Sequence, residues 1–241
     1  MLKTIFLTIS VFLLSLKLQA QEKNNQKSLA DTTFTIISKA PDKKHVLIRS
    51  SNGNMAEQGM LLDNKKDGVW RFYDKSSGKL SKMEEYRNGV LNGASLSFSA
   101  QGQITIDETF LDGLLDGQRT TYRNTSHVQS IEFYKKGLLN GKKNSYYEND
   151  KIQEEAYYEN GKRQGKSQWY LSNGNVTLEY NYVQGNLEGL SIEYDENGKI
   201  KKEGNYKNNE QDGEWKEYEN AVLKKKIIYQ DGKLLKEIPV K

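Results

Sequence analysis

The chain of 241 residues contains no cysteine, only two prolines and only two histidines. Without cysteine there is no disulfide framework. Scarce proline leaves the chain free to pair as strands almost throughout. His45 and His127 have no second imidazole or thiol nearby in sequence, so zinc coordination lacks ligands and both read as solvent-exposed. Hydrophobic residues make up only 35% of the chain, which argues against a thick aliphatic core, although tyrosine is overused at 15 residues. A charge of one sign is also missing. The formal net charge is +4, and +2 once Lys3 and Lys17 are set aside. That is far from the basic stripe of a nucleic-acid binder, and no nucleic-acid partner is expected. Low hydrophobicity alone would suit a disordered chain, but the arrangement of the residues does not.

The N-terminus stands apart. Lys3, the apolar "IFLTISVFLLSL" and the small-residue end "LQA" at Ala20 have the layout of a cleaved secretory signal over residues 1–20. The apolar run is short and interrupted by Lys17, which disfavours a membrane-spanning helix. An exported chain without disulfides or a lipid-bearing cysteine fits a periplasmic or secreted protein of a bacterial envelope. Residues 21–44 read as a linker or cap, and 234–241 as a C-terminal cap or tail.

Between them lies a repeat. "RNGVLNG" at 87–93 returns as "LDGLLDG", "KKGLLNG", "ENGKRQG" and "VQGNLEG", each starting 24 residues after the last. Its second glycine forms the series Gly68, Gly93, Gly117, Gly141, Gly165, Gly189 and Gly213. Five residues on comes an aromatic column, Tyr73, Phe98, Tyr122, Tyr146, Tyr170, Tyr194 and Tyr218. An aliphatic column (Leu80, Ile104, Val128, Ile152, Val176, Ile200, Leu223) follows, then a second aromatic one: Tyr86, Phe110, Tyr134, Tyr158, Tyr182, Tyr206 and Tyr229. Of 23 aromatics after the signal, 14 fall in these two columns, so the spacing is not accidental. Ile48, Met55 and Leu61 extend the columns backwards as a degenerate, capping repeat ahead of seven full ones, over residues 45–233.

Each repeat alternates apolar and polar residues at the period of a strand. In "YDENGKI" a two-residue loop would send Tyr194 and Ile200 to opposite faces. A three-residue loop, a type I turn followed by left-handed Gly198, pairs them on one face. The expected fold is therefore all-β: an elongated antiparallel meander of ~24-residue hairpins in one twisted or curled sheet, its apolar columns sharing one face. About sixteen strands are expected.

The chain resembles the bacterial MORN-variant repeats, which include antitoxin-like members of toxin–antitoxin systems. The motif is Y-x-N-G-x-x-x-G-x-W-x-x-Y-x-x-N-G-K, carried here by "YKNNEQDGEWKEYENAVLKKK" (206–226) and "YENGKRQGKSQWYLSNGNV" (158–176). The resemblance covers roughly residues 45–233 and implies binding and scaffolding.

Catalytic patterns are weak. "GKRQGKS" has three residues between its glycines where a phosphate loop needs four, and a strand rather than a helix follows. Glu84, Glu108 and Glu132 form a carboxylate column that could serve as acid and base, yet Lys and Arg abound to neutralise it. No enzyme activity, cofactor or metal is expected. Seven aromatics lie out of phase with the columns: Trp70, Phe72, Phe133, Tyr147, Tyr157, Trp169 and Trp215. Parity places them on the polar face, as a covering of the sheet or as a recognition strip. The expected function is an exported, non-enzymatic scaffold for a protein partner, in one form antitoxin-like. The alternative is a module that binds cell-wall glycan or a membrane surface.

Overall fold

Strand follows strand in the computed structural model, which describes residues 32–36, 42–123 and 127–240. The signal segment 1–20 and the turn at Ser126 lie outside the described residues. The first strands are β1 (Thr32–Ile36), β2 (Lys43–Ser50), β3 (Met55–Leu62), β4 (Lys65–Tyr73) and β5 (Leu80–Arg87). They lead into β6 (Val90–Phe98), β7 (Ile104–Leu111), β8 (Leu114–Tyr122), β9 (Val128–Lys135) and β10 (Leu138–Tyr146). The array continues through β11 (Ile152–Glu159), β12 (Lys162–Arg163), β13 (Gly165–Tyr170), β14 (Val176–Val183) and β15 (Asn186–Leu187). It closes with β16 (Gly189–Tyr194), β17 (Ile200–Lys207), β18 (Glu210–Glu219), β19 (Val222–Gln230) and β20 (Lys233–Pro239). Pairing is antiparallel between neighbours in sequence, from β1 on β2 to β20 on β19. β12 and β13 both pair with β11, as β15 and β16 do with β14, so each couple is one strand interrupted. The result is one open meander. The eight repeats supply sixteen strands, and β1 and β20 add one at each end, the latter within the segment expected to be a tail.

Turn chemistry defines the two long edges of the sheet. On one edge a two-residue loop such as Asn160-Gly161 has φ of 48° and 81°, and Glu159 pairs with Lys162 across it. Both residues are left-handed, as a type I′ turn demands, which is where the first glycine of each motif is used. On the other edge the Gly198 N–H donates to the Asp195 carbonyl at 3.0 Å, and the Asp195 N–H to Lys199 at 2.8 Å. This is the type I turn with a left-handed third residue, and Tyr194 pairs with Ile200 as expected. The second glycine has a different task. Gly141, at φ 116°, sits in a bulge where Leu139 pairs with Tyr134 but the next partners are Lys143 and Glu132. Its positive φ turns the strand through the irregularity.

A further bulge overturns the expectation of one apolar face. Glu193 pairs with Lys202 and Tyr194 with Ile200, so Lys201 is an extra residue. The same skip recurs at Thr105, Gln153 and Thr177. One inserted residue reverses side-chain parity. Ile200 therefore lies on the face of Tyr194, while Lys202, Gly204 and Tyr206 lie on the other. The two aromatic columns occupy opposite faces. We call the face of Tyr86 to Tyr229 the front, and that of Tyr73 to Tyr218 the back. The degenerate repeat needs a second correction: Met55 pairs with Arg49, not Ile48, because the regular hairpin loop is one residue shorter than the one that spans Tyr73 and Leu80.

Hydrogen bonds tie repeat to repeat along both edges. The Gly113, Gly137, Gly161 and Gly185 N–H groups donate to carbonyls of Leu91, Leu115, Leu139 and Arg163 in the preceding turns, at 2.7–2.8 Å. The residue before each second glycine joins in: Asp116 accepts from the Lys136 N–H and Glu188 from the Asn208 N–H, both at 3.0 Å. On the opposite edge Tyr147, Asn149 and Asn175 side chains donate to carbonyls one hairpin on. A single hairpin is marginal in water. Here successive turns hold one another along both edges.

Candidate interaction surface

The front face is filled by cross-strand pairs of complementary size and charge. Glu84 stands opposite Ser95, Glu108 opposite Arg119 and Glu132 opposite Lys143. At either end of the array the equivalent place holds tryptophan over glycine: Trp70 on Gly59 and Trp215 on Gly204. A Cβ on either glycine would collide with the indole. The two indole N–H groups donate to the Met60 and Asn205 carbonyls at 2.9 and 3.1 Å.

Two sectors follow along this face. From β7 to β12 an alternating ladder runs Glu108, Arg119, Glu132, Lys143, Glu154, Arg163, with Arg119 2.9 Å from Glu108 and 3.0 Å from Glu132. Burial works against the Arg119 charge, but its hydrogen bonds to both carboxylates outweigh that and hold the guanidinium above its ordinary range. Arg163 ends the ladder, 5.4, 5.2 and 5.4 Å from the rings of Tyr158, Trp169 and Tyr182. Beyond it, edge-to-face rings take over. Trp169, Tyr180, Tyr206 and Trp215 follow at 5.7, 5.8 and 5.1 Å, and Tyr229 closes the row at 6.3 Å. Burial pushes the Tyr180 hydroxyl up to about 12. The carboxylate column is bound to the chain's own cations.

Most of the out-of-phase aromatics belong to this packing, which corrects their expected exposure. Trp70 and Trp215 are 2% and 1% exposed. Phe72 and Trp169 also lie on the front, Phe72 with the Lys66 ammonium 4.4 Å from its ring. Tyr147 follows β10 and donates its hydroxyl to the Tyr170 carbonyl at 2.7 Å. Parity placed the first four on the far side because the bulge was not counted. Only Phe133 and Tyr157 stand out on the back face, in adjacent hairpins, at 39% and 43% exposure.

They have company that sequence reasoning missed. Val90, Leu111, Leu114 and Leu138 flank the type I′ turns on the same face, each 44–52% exposed. Val90, Leu114 and Leu138 share one structural position, directly after the turn, occupied in other repeats by Lys65, Lys162, Asn186 and Glu210. Every one with a measured contact does the same local job. Val90 Cγ1 lies 3.5 Å from the place a Cβ on Gly113 would take, and the stems of Lys65 and Lys162 lie 3.3 and 3.7 Å from those of Gly89 and Gly185. Lysine serves the fold as well as leucine does. The exposed aliphatic run in three consecutive repeats is therefore not needed for folding. The signal is present in the tetrapeptides "VLNG", "LLDG" and "LLNG", where the first residue faces the back and the second the front.

Residues 139–162, 163–184 and 187–208 match the family model of the MORN repeat variant. These three segments are MORN-variant repeats. The same turns, bulges and pairing continue on both sides of them, so the chain is a repeat scaffold. None of the curated proteins matches the chain. Among solved structures, a porin-like protein from Bacteroides uniformis ATCC 8492 is similar at 9% identity, over 86% of this chain and 92% of that one, with a TM-score of 0.17. A score that low carries no argument about architecture or function.

Proposed function

We propose that this protein is a non-enzymatic interaction scaffold, exported by its N-terminal segment to a bacterial envelope, whose partner is another protein. The observation behind the reading is the back-face row of Val90, Leu111, Leu114 and Leu138 with Phe133 and Tyr157 beside it. Contiguous exposed apolar surface is costly to keep in water and marks sites of association. The non-enzymatic part rests on the front-face carboxylates, which are engaged by Arg119, Lys143 and Arg163 rather than left open to a substrate. Antitoxin-like neutralisation is one form such binding would take.

A photo-crosslinking residue in place of Leu114, in the full chain made by its own cells, tests this reading. The expected product is a protein adduct in the envelope fraction, on a chain whose mass lacks residues 1–20. Adducts only to lipid or glycan would overturn the protein-partner reading, and an uncleaved chain in the cytosol would overturn export.

A further inference from the structure

The type I′ edge of the back face carries a row with a definite chemical order. Directly after successive turns it reads Lys65, Val90, Leu114, Leu138, Lys162. Directly before them it reads Leu62, Arg87, Leu111, Lys135, Glu159, with Lys136 in the turn after Lys135. Lys65, Arg87, Lys135, Lys136 and Lys162 make no salt bridge among the described residues, and all five are exposed. Asp63, Glu85, Asp112 and Glu159 are the exposed acids nearby, so the five cations outnumber the acids around the aliphatic centre. A second copy docked here about a two-fold axis at Leu114 would set Arg87 against Lys135 and Lys65 against Lys162. Like charges brought together across an interface oppose that arrangement.

Spacing narrows the partner further. Equivalent positions in successive hairpins are two strands apart, about 9.6 Å. An α-helix rises about 10.5 Å in seven residues. A helix laid along the turn edge can thus place apolar residues at i, i+7 and i+14 on Val90, Leu114 and Leu138, and one at i+3 or i+4 beside Leu111. Phe133 and Tyr157 extend the same face inward. An extended strand matches less well, because its side chains on one face recur about every 6.8 Å. We propose that this edge is a docking rail for an acidic amphipathic helix, its apolar stripe on the Val90–Leu138 row and its flanking carboxylates on Arg87, Lys135, Lys136 and Lys162. The proposal rests on the scaffold reading and specifies the partner's shape and charge.

Fluorescence anisotropy with the purified full chain tests it. The probe is a labelled helical peptide of about twenty residues with leucines at a seven-residue spacing and glutamates on the flanks. Two control peptides carry lysine in place of glutamate, or serine in place of leucine. The protein variant is Leu114→Lys/Leu138→Lys, which gives the middle repeats the residue that Lys65 and Lys162 already supply elsewhere. Its circular dichroism should be unchanged.

The glutamate peptide should bind at least about tenfold more tightly than either control. The double variant should weaken it by about tenfold or more. Added salt should lower the affinity. Equal binding of the lysine-flanked peptide, or an unaffected double variant, overturns the proposal. So does tight binding of the chain to phosphatidylglycerol vesicles that the glutamate peptide does not compete away, which would assign the row to a membrane. If no peptide binds while the Leu114 cross-link still yields a protein adduct, the helix proposal falls and the scaffold reading stands. If neither forms, both fall.

Discussion

Two stretches of the front face share one backbone and differ in nearly everything else. From β7 to β12 the central positions hold Glu108, Arg119, Glu132, Lys143, Glu154 and Arg163, joined as a ladder of opposite charges. From β13 to β19 the rings of Trp169, Tyr180, Tyr206, Trp215 and Tyr229 are joined edge to face, with Tyr180 and Trp215 at the repeat positions of Glu132 and Arg119. Antiparallel pairing and the bulge beside the aliphatic column are the same in the two sectors, although the β18–β19 loop, with Asn220 and Ala221 left-handed, is one residue shorter. The sheet geometry is set by turns and bulges, and the cross-strand pair is a replaceable unit whose members must only complement each other. Glu with Arg, Tyr with Ser and Gly with Trp are three solutions to one space. Energetically they are unequal. The charged sector is partly solvated, its Arg119 and Glu108 side chains 26% and 17% exposed, so Coulomb attraction there is offset by desolvation and screening. The aromatic sector buries large rings, which is where most of the stability of so thin a protein must come from.

The comparison can be broken most forcefully at Trp215. Trp215→Ala should cost about 3–5 kcal/mol, as for large-to-small aromatic truncation in a packed site. Urea melts followed by circular dichroism would measure it. Gly204→Ala should also destabilise, because the new Cβ collides with the Trp215 ring. The cost should be about 1–3 kcal/mol. The double substitution Gly204→Tyr/Trp215→Ser rebuilds the Tyr180–Ser191 arrangement found one repeat earlier, and should melt higher than Gly204→Tyr alone. A lower or equal melting temperature would mean the pairs are not interchangeable.

In the charged sector the effect is smaller. Arg119→Met leaves Glu108 and Glu132 without their shared cation and should cost about 1–2 kcal/mol, discounted for partial exposure. The triple substitution Glu108→Gln/Arg119→Met/Glu132→Gln should recover most of that loss in the same urea melts. If it does not, the ladder supplies net stability rather than mutual neutralisation.

Alkaline titration tests the burial of the aromatic sector next. Burial raises Tyr180 from 10.0 to about 12, and burial likewise raises Tyr182. A tyrosine whose folded value lies above its unfolded one stabilises the fold fully below the unfolded value. That contribution is lost as pH rises through the folded value. Stability of the aromatic sector should therefore hold to about pH 10 and decline toward pH 12, read by tryptophan fluorescence in urea at stepped pH. A midpoint independent of pH across that window would contradict the burial of these hydroxyls.

Salt should have the smallest effect. Raising ionic strength from about 0.05 to 0.5 M should weaken the ladder by a few tenths of a kcal/mol. Amide exchange would register this as faster opening of β8–β10, with a smaller change in β16–β18, where Lys202–Glu217 and Lys216–Glu203 also pair. Equal acceleration of both stretches would remove the distinction between them.

Much of this architecture was legible in the residues, and the failures have one source. The turn "DENGK" gave the pairing of Tyr194 with Ile200, since only a three-residue loop brings those columns opposite one another. The 24-residue spacing implied stacked hairpins, and the extended columns implied a degenerate first repeat. Side-chain direction past the aliphatic column was not legible. The skipped residue is polar in each full repeat, such as Thr105, Gln153 or Lys201, and a polar residue is also what strict alternation places there. Nothing local distinguishes a bulge from a regular strand at that point. Trp70, Phe72, Trp169 and Trp215 were consequently assigned to the wrong face, while Phe133 and Tyr157, beyond reach of packing on the back, remained exposed.

By itself the sequence determined the repeat, the two kinds of turn and the partners across each loop, because those depend on backbone conformations that glycine, asparagine and aspartate select within a few residues. Tertiary structure decided which face each column occupies and which side chains stay in water. Those outcomes depend on pairing between strands, as between Gly59 and Trp70 across one turn, and on contacts between the turns of successive hairpins more than twenty residues apart in the chain. A single unpaired residue in such a ladder inverts every side chain that follows it, and only the partner strand shows that it is unpaired.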